Sequence, residues 1–201
     1  MMRNLLETPP SLCKDSDMLA RLRTLSFVAV FAAIAIFTAI AATRGTAMAR
    51  PLNSAPVVAP EFTGVDKWLN SDPLTMQQLR GKVVLVDFWT YTCGNCINTL
   101  PYVKSWYQKY QSQGLVVVGV HTPEYAFEHN TDNVKAAIKH FDIRYPVAQD
   151  NEYATWNAYS NQYWPAVYLI DKKGRIVYSH YGEGDYAQTE AAIRTQLAQA
   201  N

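Results

Sequence analysis

Cys93 and Cys96 sit three residues apart in this chain of 201 residues, separated by Gly94 and Asn95. Two thiols at that spacing can close a disulfide across the first turn of a helix. The upstream sulfur then faces unpaired backbone N–H groups and the positive end of the helix dipole. Both favour the thiolate, which is the nucleophile in disulfide exchange. Three other readings are open. A zinc site needs two more ligands at sensible spacing, and the four histidines, His121, His129, His140 and His180, are scattered. A purely structural disulfide would close so short a loop that it stabilises little. A pair of inert buried thiols is the third. Cys13, far upstream, is assigned no role.

The surrounding pattern decides in favour of redox chemistry. Lys82 to Phe88 and Leu115 to Val120 are continuous apolar runs, as strands buried on both faces would be. Between them Ile97, Leu100, Val103, Tyr107 and Tyr110 form a helical stripe, and Gly114 is placed to end it. Strand, helix, strand implies a parallel βαβ unit with a right-handed crossover, and the cysteines fall at the strand-to-helix junction. Further on, 130–141 reads as a short helix, Tyr145 to Ala148 as a short edge strand and 153–160 as another helix. Ala166 to Ile170 and Arg175 to Tyr181 read as a hairpin, and 185–198 as a last helix with Asp185 as N-cap and Gln188 completing a capping box. The expected fold class is α/β, a βαβ unit followed by ββα.

The residues around the cysteines resemble a known active-site segment. Val86-Asp87-Phe88-Trp89 followed by Cys93-Gly94-Asn95-Cys96 is similar to that of thioredoxins. Asp87 lies where thioredoxins carry a buried carboxylate, and Pro101 where they carry a helix-kinking proline. Trp164-Pro165 lies where the fold's cis-proline is expected. More narrowly, FWTYTCGNCINTLPYV, VVVGVHTPEYAF, YATWNAYSNQYWPAVYLID and GEGDY resemble the extracytoplasmic domain of DipZ-type thiol–disulfide interchange proteins, within the TlpA-like redoxin family. The resemblance covers roughly residues 57–190. It departs in lacking a polytopic electron-transfer domain and in placing glycine at 94, where a bulkier residue is expected.

The resemblance implies a thioredoxin fold, with a central mixed sheet and helices on both faces. It implies Cys93 as the attacking thiolate, Cys96 as the buried resolving thiol and Asp87 as the base that handles its proton. A carboxylate inside an apolar strand should have a raised pKa. Its other reading is a strand-end acid that reaches solvent or pairs with Lys82. Pro165, which has no N–H, and Trp164 would shape a groove where an extended substrate strand pairs. Trp89, Tyr91 and Trp164 would line an apolar collar, unless they are simply core. Glu124, at the carboxyl edge of the second central strand, is a candidate for an accessory role or a plain loop acid. No metal and no cofactor is expected.

Bulk properties bound the rest. Apolar residues make up 49% and charged residues 17% of the chain, so a substantial core can form. Net charge is +1 with no large basic patch, which argues against nucleic-acid binding. Residues 25–42 carry no charge and are long enough for a membrane span, with Arg21 and Arg23 ahead of them. The segment reads as a signal anchor, or as a signal peptide cleaved at Ala47-Met48-Ala49, with Met18 an alternative start. Residues 1–49 are thus a targeting segment, 50–60 a proline-rich linker and 61–201 the folded domain.

The expected product is an extracytoplasmic thiol–disulfide oxidoreductase that acts on exported proteins, with the reductive direction favoured. Its electrons would come from a separate CcdA-like membrane protein. Two alternatives share the fold: a copper-assembly chaperone, which would need His121 or His180 to converge on the thiols, and a thiol peroxidase, for which no activating arginine is placed.

Overall fold

The computed structural model describes residues 57–200. The apolar segment 25–42, Cys13 and most of the expected linker lie outside the described residues. Seven strands form one sheet: β1 (Val57–Val58), β2 (Lys67–Leu69), β3 (Val83–Trp89), β4 (Leu115–His121), β5 (Val147–Gln149), β6 (Ala166–Ile170) and β7 (Arg175–Tyr181). Their spatial order is β1-β7-β6-β3-β4-β5-β2. β3 runs parallel to β4, and β4 to β5, while β6, β7, β1 and β2 pair antiparallel. The mixed sheet and the βαβ-then-ββα order are those expected from the sequence.

The sheet is central because β3 has no polar face to show to water. All seven of its residues are buried. Alternation splits them between two cores. Val83, Leu85 and Trp89 face α1 (Gly94–Tyr110), α2 (Thr131–His140) and α4 (Tyr186–Ala198), which supply Leu100, Val103, Trp106, Val134, Ile138 and Ile193. Val84, Val86 and Phe88 face the chain entering the domain, with Met76 and Leu79, and the short α3 (Ala154–Ala158), with Trp156. Helices therefore cover both faces. Gly114 ends the first helical segment at φ 99, in the left-handed conformation that a side chain would disfavour.

Three expectations change. Val57 and Val58, inside the stretch read as linker, form a strand that pairs with Ile176 and Arg175. β5 is not the edge: β2 pairs outside it, Lys67 to Leu69 opposite Gln149 to Val147. Asp185 is the N-cap residue of α4, as expected, but its side chain does not cap the helix. Its backbone is left-handed (φ 47), it makes no capping bond, and its carboxylate lies 3.5 Å from His180 Nδ1.

Candidate active site

β3 ends at Trp89, four residues, Thr90 to Cys93, make the turn, and α1 starts at Gly94. Cys93 is therefore the N-cap, with extended backbone (φ −72, ψ 114). Its Sγ occupies the place an N-cap oxygen usually takes and accepts the Cys96 N–H at 3.2 Å. Both thiols are free. Cys93 is half-buried, whereas Cys96 is 1% exposed. The asymmetry sets their chemistry. Hydrogen bonding from Cys96 lowers the Cys93 pKa from 9.0 to about 7, against the opposing pull of burial and of the Glu124 charge. The Cys96 thiol is pushed up strongly, first by its bond to Cys93 and then by burial. One thiol is accessible and readily ionised, and the other is buried and protonated. A Cβ at Gly94 would meet nothing within 4 Å, so packing does not require the glycine found there.

Asp87 sits behind the pair. It shares its face of β3 with Leu85 and Trp89, points toward the α1 core and is 1% exposed. Burial raises its pKa from 3.8 to about 7, helped by the Cys93 charge. Its charge and that of Cys96 in turn help raise Tyr145. Asp87 Oδ1, Trp89 Nε1 and the Tyr145 hydroxyl are all buried without a hydrogen-bond partner. Directly across the ladder from Asp87 stands Gly119. A Cβ there would lie 3.0 Å from both Trp89 Nε1 and Tyr145 Cε2, so any larger residue would press on this polar cluster. Among the described residues no cation pairs with Asp87, so the expected alternative of a bond to Lys82 is not realised. A carboxylate without a countercharge, in a dry place, is suited to taking a proton near neutrality.

The other expected site residues divide. Pro165 is buried and follows a cis peptide bond from Trp164. It lies one step beyond the Phe88–Ala166 pair, at the end of β3 that leads to Cys93. Trp164 is half-buried, donates from Nε1 to the Thr122 carbonyl at 3.1 Å and packs on Trp156. Tyr91 is half-buried and stacks on His121 at 5.5 Å. Trp89 departs from the collar expectation. At 1% exposure it belongs to the core behind the site, edge-on to His121. The alternation that pairs it with Leu85 and Asp87 is the physical reason. Glu124 is exposed, and its charge acts on Cys93.

Sequence reasoning missed Glu128, which is fully buried. Its Oε1 accepts from the Thr92 hydroxyl (2.6 Å) and the Thr92 N–H (3.3 Å). Its Oε2 accepts from the N–H groups of Glu124 (2.6 Å) and Tyr125 (3.0 Å). Burial pushes the carboxyl up, but these bonds and one to Thr90 outweigh it and hold its pKa below the ordinary value. One ionised group thus ties the turn before Cys93 to the loop after β4. His121, between Trp89 and Tyr91, contacts Thr90 Oγ1 at 3.3 Å, and burial lowers its pKa to about 4. It is neutral at physiological pH. An acid five residues after a loop proline reads as a surface residue in sequence; only the donors converging on it reveal its role.

Among the described residues no group of three or more His, Cys, Asp or Glu side chains is arranged to hold a metal ion. Neither His121 nor His180, which faces Asp185, joins the thiols to form the site a copper chaperone needs.

Residues 54–197 match the Redoxin family model. The chain belongs to the redoxin family. Among curated relatives, Protein DipZ of Mycobacterium tuberculosis is 50% identical over 145 residues, which cover 71% of this chain and 21% of DipZ. The chain thus spans about a fifth of the length of the DipZ proteins it matches. Thiol-disulfide oxidoreductase YkuV of Bacillus subtilis is 34% identical over 141 residues, covering 70% of this chain and 94% of YkuV. Among solved structures, a thioredoxin-like protein in its oxidised form is 32% identical with a TM-score of 0.66, covering 73% of this chain and 98% of that one. The redoxin domain described here has the thioredoxin-like fold, and its family and cysteine pair make it a thioredoxin-like oxidoreductase domain.

Proposed function

We propose that this redoxin exchanges disulfides with exported proteins outside the cytoplasm and that it works as a reductant. The observation that carries the reading is the accessible Cys93 at a helix N-cap with its protonated partner Cys96 one turn on. The Cys93 thiolate attacks one sulfur of a substrate disulfide. A mixed disulfide forms, and the released substrate thiolate takes a proton from solvent. Cys96 then gives its proton to Asp87 and attacks Cys93 Sγ. The second substrate sulfur leaves as a thiolate and is protonated. Two electrons and two protons pass from the dithiol to the substrate, and Cys93–Cys96 ends as a disulfide. Trp164 and Pro165, beside the end of β3, would receive an extended substrate segment.

Electrostatics support the reductive direction. Thiol pKa values near 3.5 accompany strong oxidants, because a stabilised thiolate favours the reduced form, while values near 7 accompany reductants. Cys93 stands at about 7 because Glu124 and burial oppose its hydrogen bonds. The uncharged run at 25–42, behind Arg21 and Arg23, supports export with a membrane tether, or release after Ala49. Among the described residues no helix is long and apolar enough to cross a membrane. A reductant outside the cytoplasm needs electrons across the membrane, and a separate CcdA-like protein is the proposed donor.

Equilibration of the Cys93–Cys96 couple against glutathione and dithiothreitol buffers tests the direction. The expected potential is about −270 mV, in the range of thioredoxin. A value of about −120 mV, in the range of DsbA, would overturn the reductive assignment.

A further inference from the structure

The loop between β4 and α2 exposes two large aromatic side chains. Tyr125 is 51% exposed and Phe127 54%. Their rings stack in parallel, 5.7 Å apart, with a 3° angle between planes. Exposed aromatic pairs of this kind mark contact surfaces. Neither ring is free to drift from the active site. The Phe127 carbonyl accepts the Tyr91 hydroxyl at 3.2 Å, and its ring lies 6.3 Å from that of Tyr91, two residues before Cys93. The Tyr125 and Glu124 N–H groups end on Glu128, whose other oxygen holds Thr92, the residue next to Cys93. The same clamp fixes Glu124 beside the site. Glu124 is exposed and makes no salt bridge among the described residues.

We propose that Glu124, Tyr125 and Phe127 form a substrate-selecting rim that favours disulfides flanked by apolar and basic residues. This rests on the exchange activity proposed above and adds the chemical class of the substrate. The rim is continuous with the attacking thiol, so a segment whose sulfur reaches Cys93 lays its neighbouring residues across these side chains. Two adjacent rings offer apolar area to leucine or phenylalanine and a π face to arginine. The unpaired Glu124 carboxylate attracts a cation and repels an acid at short range.

The test uses the full-length reduced protein and two peptides, each with one cysteine held as a mixed disulfide with thionitrobenzoate. One peptide carries Leu, Phe and Arg around the cysteine, the other Ser and Glu. Release of thionitrobenzoate gives a second-order rate for each. The expected rate ratio favours the first peptide by at least about tenfold. Glu124→Gln lowers that ratio about fivefold, and a neutral apolar peptide is left unaffected relative to a Ser-flanked one. Phe127→Ser with Tyr125→Ser removes the apolar preference and keeps the charge preference. Using ratios cancels the change in Cys93 reactivity that loss of the Glu124 charge brings, and complete reaction of Cys93 with free 5,5′-dithiobis(2-nitrobenzoate), whatever its rate, shows that the thiol site is intact. Equal wild-type rates for the two peptides, or ratios that survive both sets of substitutions, would overturn the rim. Failure of the wild type to react with any disulfide would instead overturn the exchange activity beneath it.

Discussion

Cys96→Ser is expected to arrest the protein as a covalent adduct with its substrate. Cys93 keeps its N-cap position in this variant, and the backbone N–H of residue 96 still reaches Sγ, so the first attack proceeds. The second does not, because a buried serine hydroxyl cannot displace a thiolate from a disulfide. Release then depends on external thiol. Intramolecular attack by an oriented group is equivalent to a very high local concentration, so turnover should fall by at least about a thousandfold in millimolar thiol. Mass spectrometry should find the substrate linked to Cys93 alone. Cys93→Ser should show neither adduct nor turnover. Wild-type turnover by Cys96→Ser would mean that Cys96 does not resolve the intermediate.

Asp87→Asn should slow the protein and stabilise it at once. Removing a positioned proton acceptor typically costs about 10²-fold or more, and the loss should fall on release of the mixed disulfide rather than on its formation. The stability effect has a definite sign. Asp87 ionises at about 7 in the fold, against an ordinary value of 3.8, because burial disfavours the charge. A carboxyl raised in the folded state contributes fully below pH 3.8. That contribution is lost as pH rises to about 7, and the total is about 4 kcal/mol at roughly 1.4 kcal/mol per unit. Asparagine carries no charge to bury. Urea unfolding should therefore show the variant more stable than wild type at pH 8 by a few kcal/mol, and nearly equal at pH 4. The comparison belongs in a Cys93→Ser background, since the lowered Cys93 pKa contributes stability above pH 7, with the opposite slope. A variant that is less stable at pH 8 would show that the Asp87 charge is paired in the fold.

The catalytic half of this site was legible because its signals are local. A long apolar run, two cysteines and a helical stripe place Cys93 at a helix start, and a carboxylate in that run calls for an explanation. β1 and β2 were not legible. Two or three residues carry no period, and these strands exist only because Arg175–Ile176 and Val147–Gln149 offer them an edge. Glu128 escaped because its partners come from two stretches far apart in sequence, Thr92 on one side and Glu124-Tyr125 on the other. Trp89 was legible but misread: its parity with Leu85 already assigned it to the core. Asp185 had the right residue type for a cap, yet the left-handed backbone there turns the carboxylate toward His180.

The rate of Cys93 alkylation by iodoacetamide as a function of pH tests the central claim most directly. Modification of the reduced protein should rise along a single titration centred at about pH 7, with Cys96 unmodified across the range. Two thiols reacting at equal rates, both titrating near 9, would show that the N-cap does not activate Cys93.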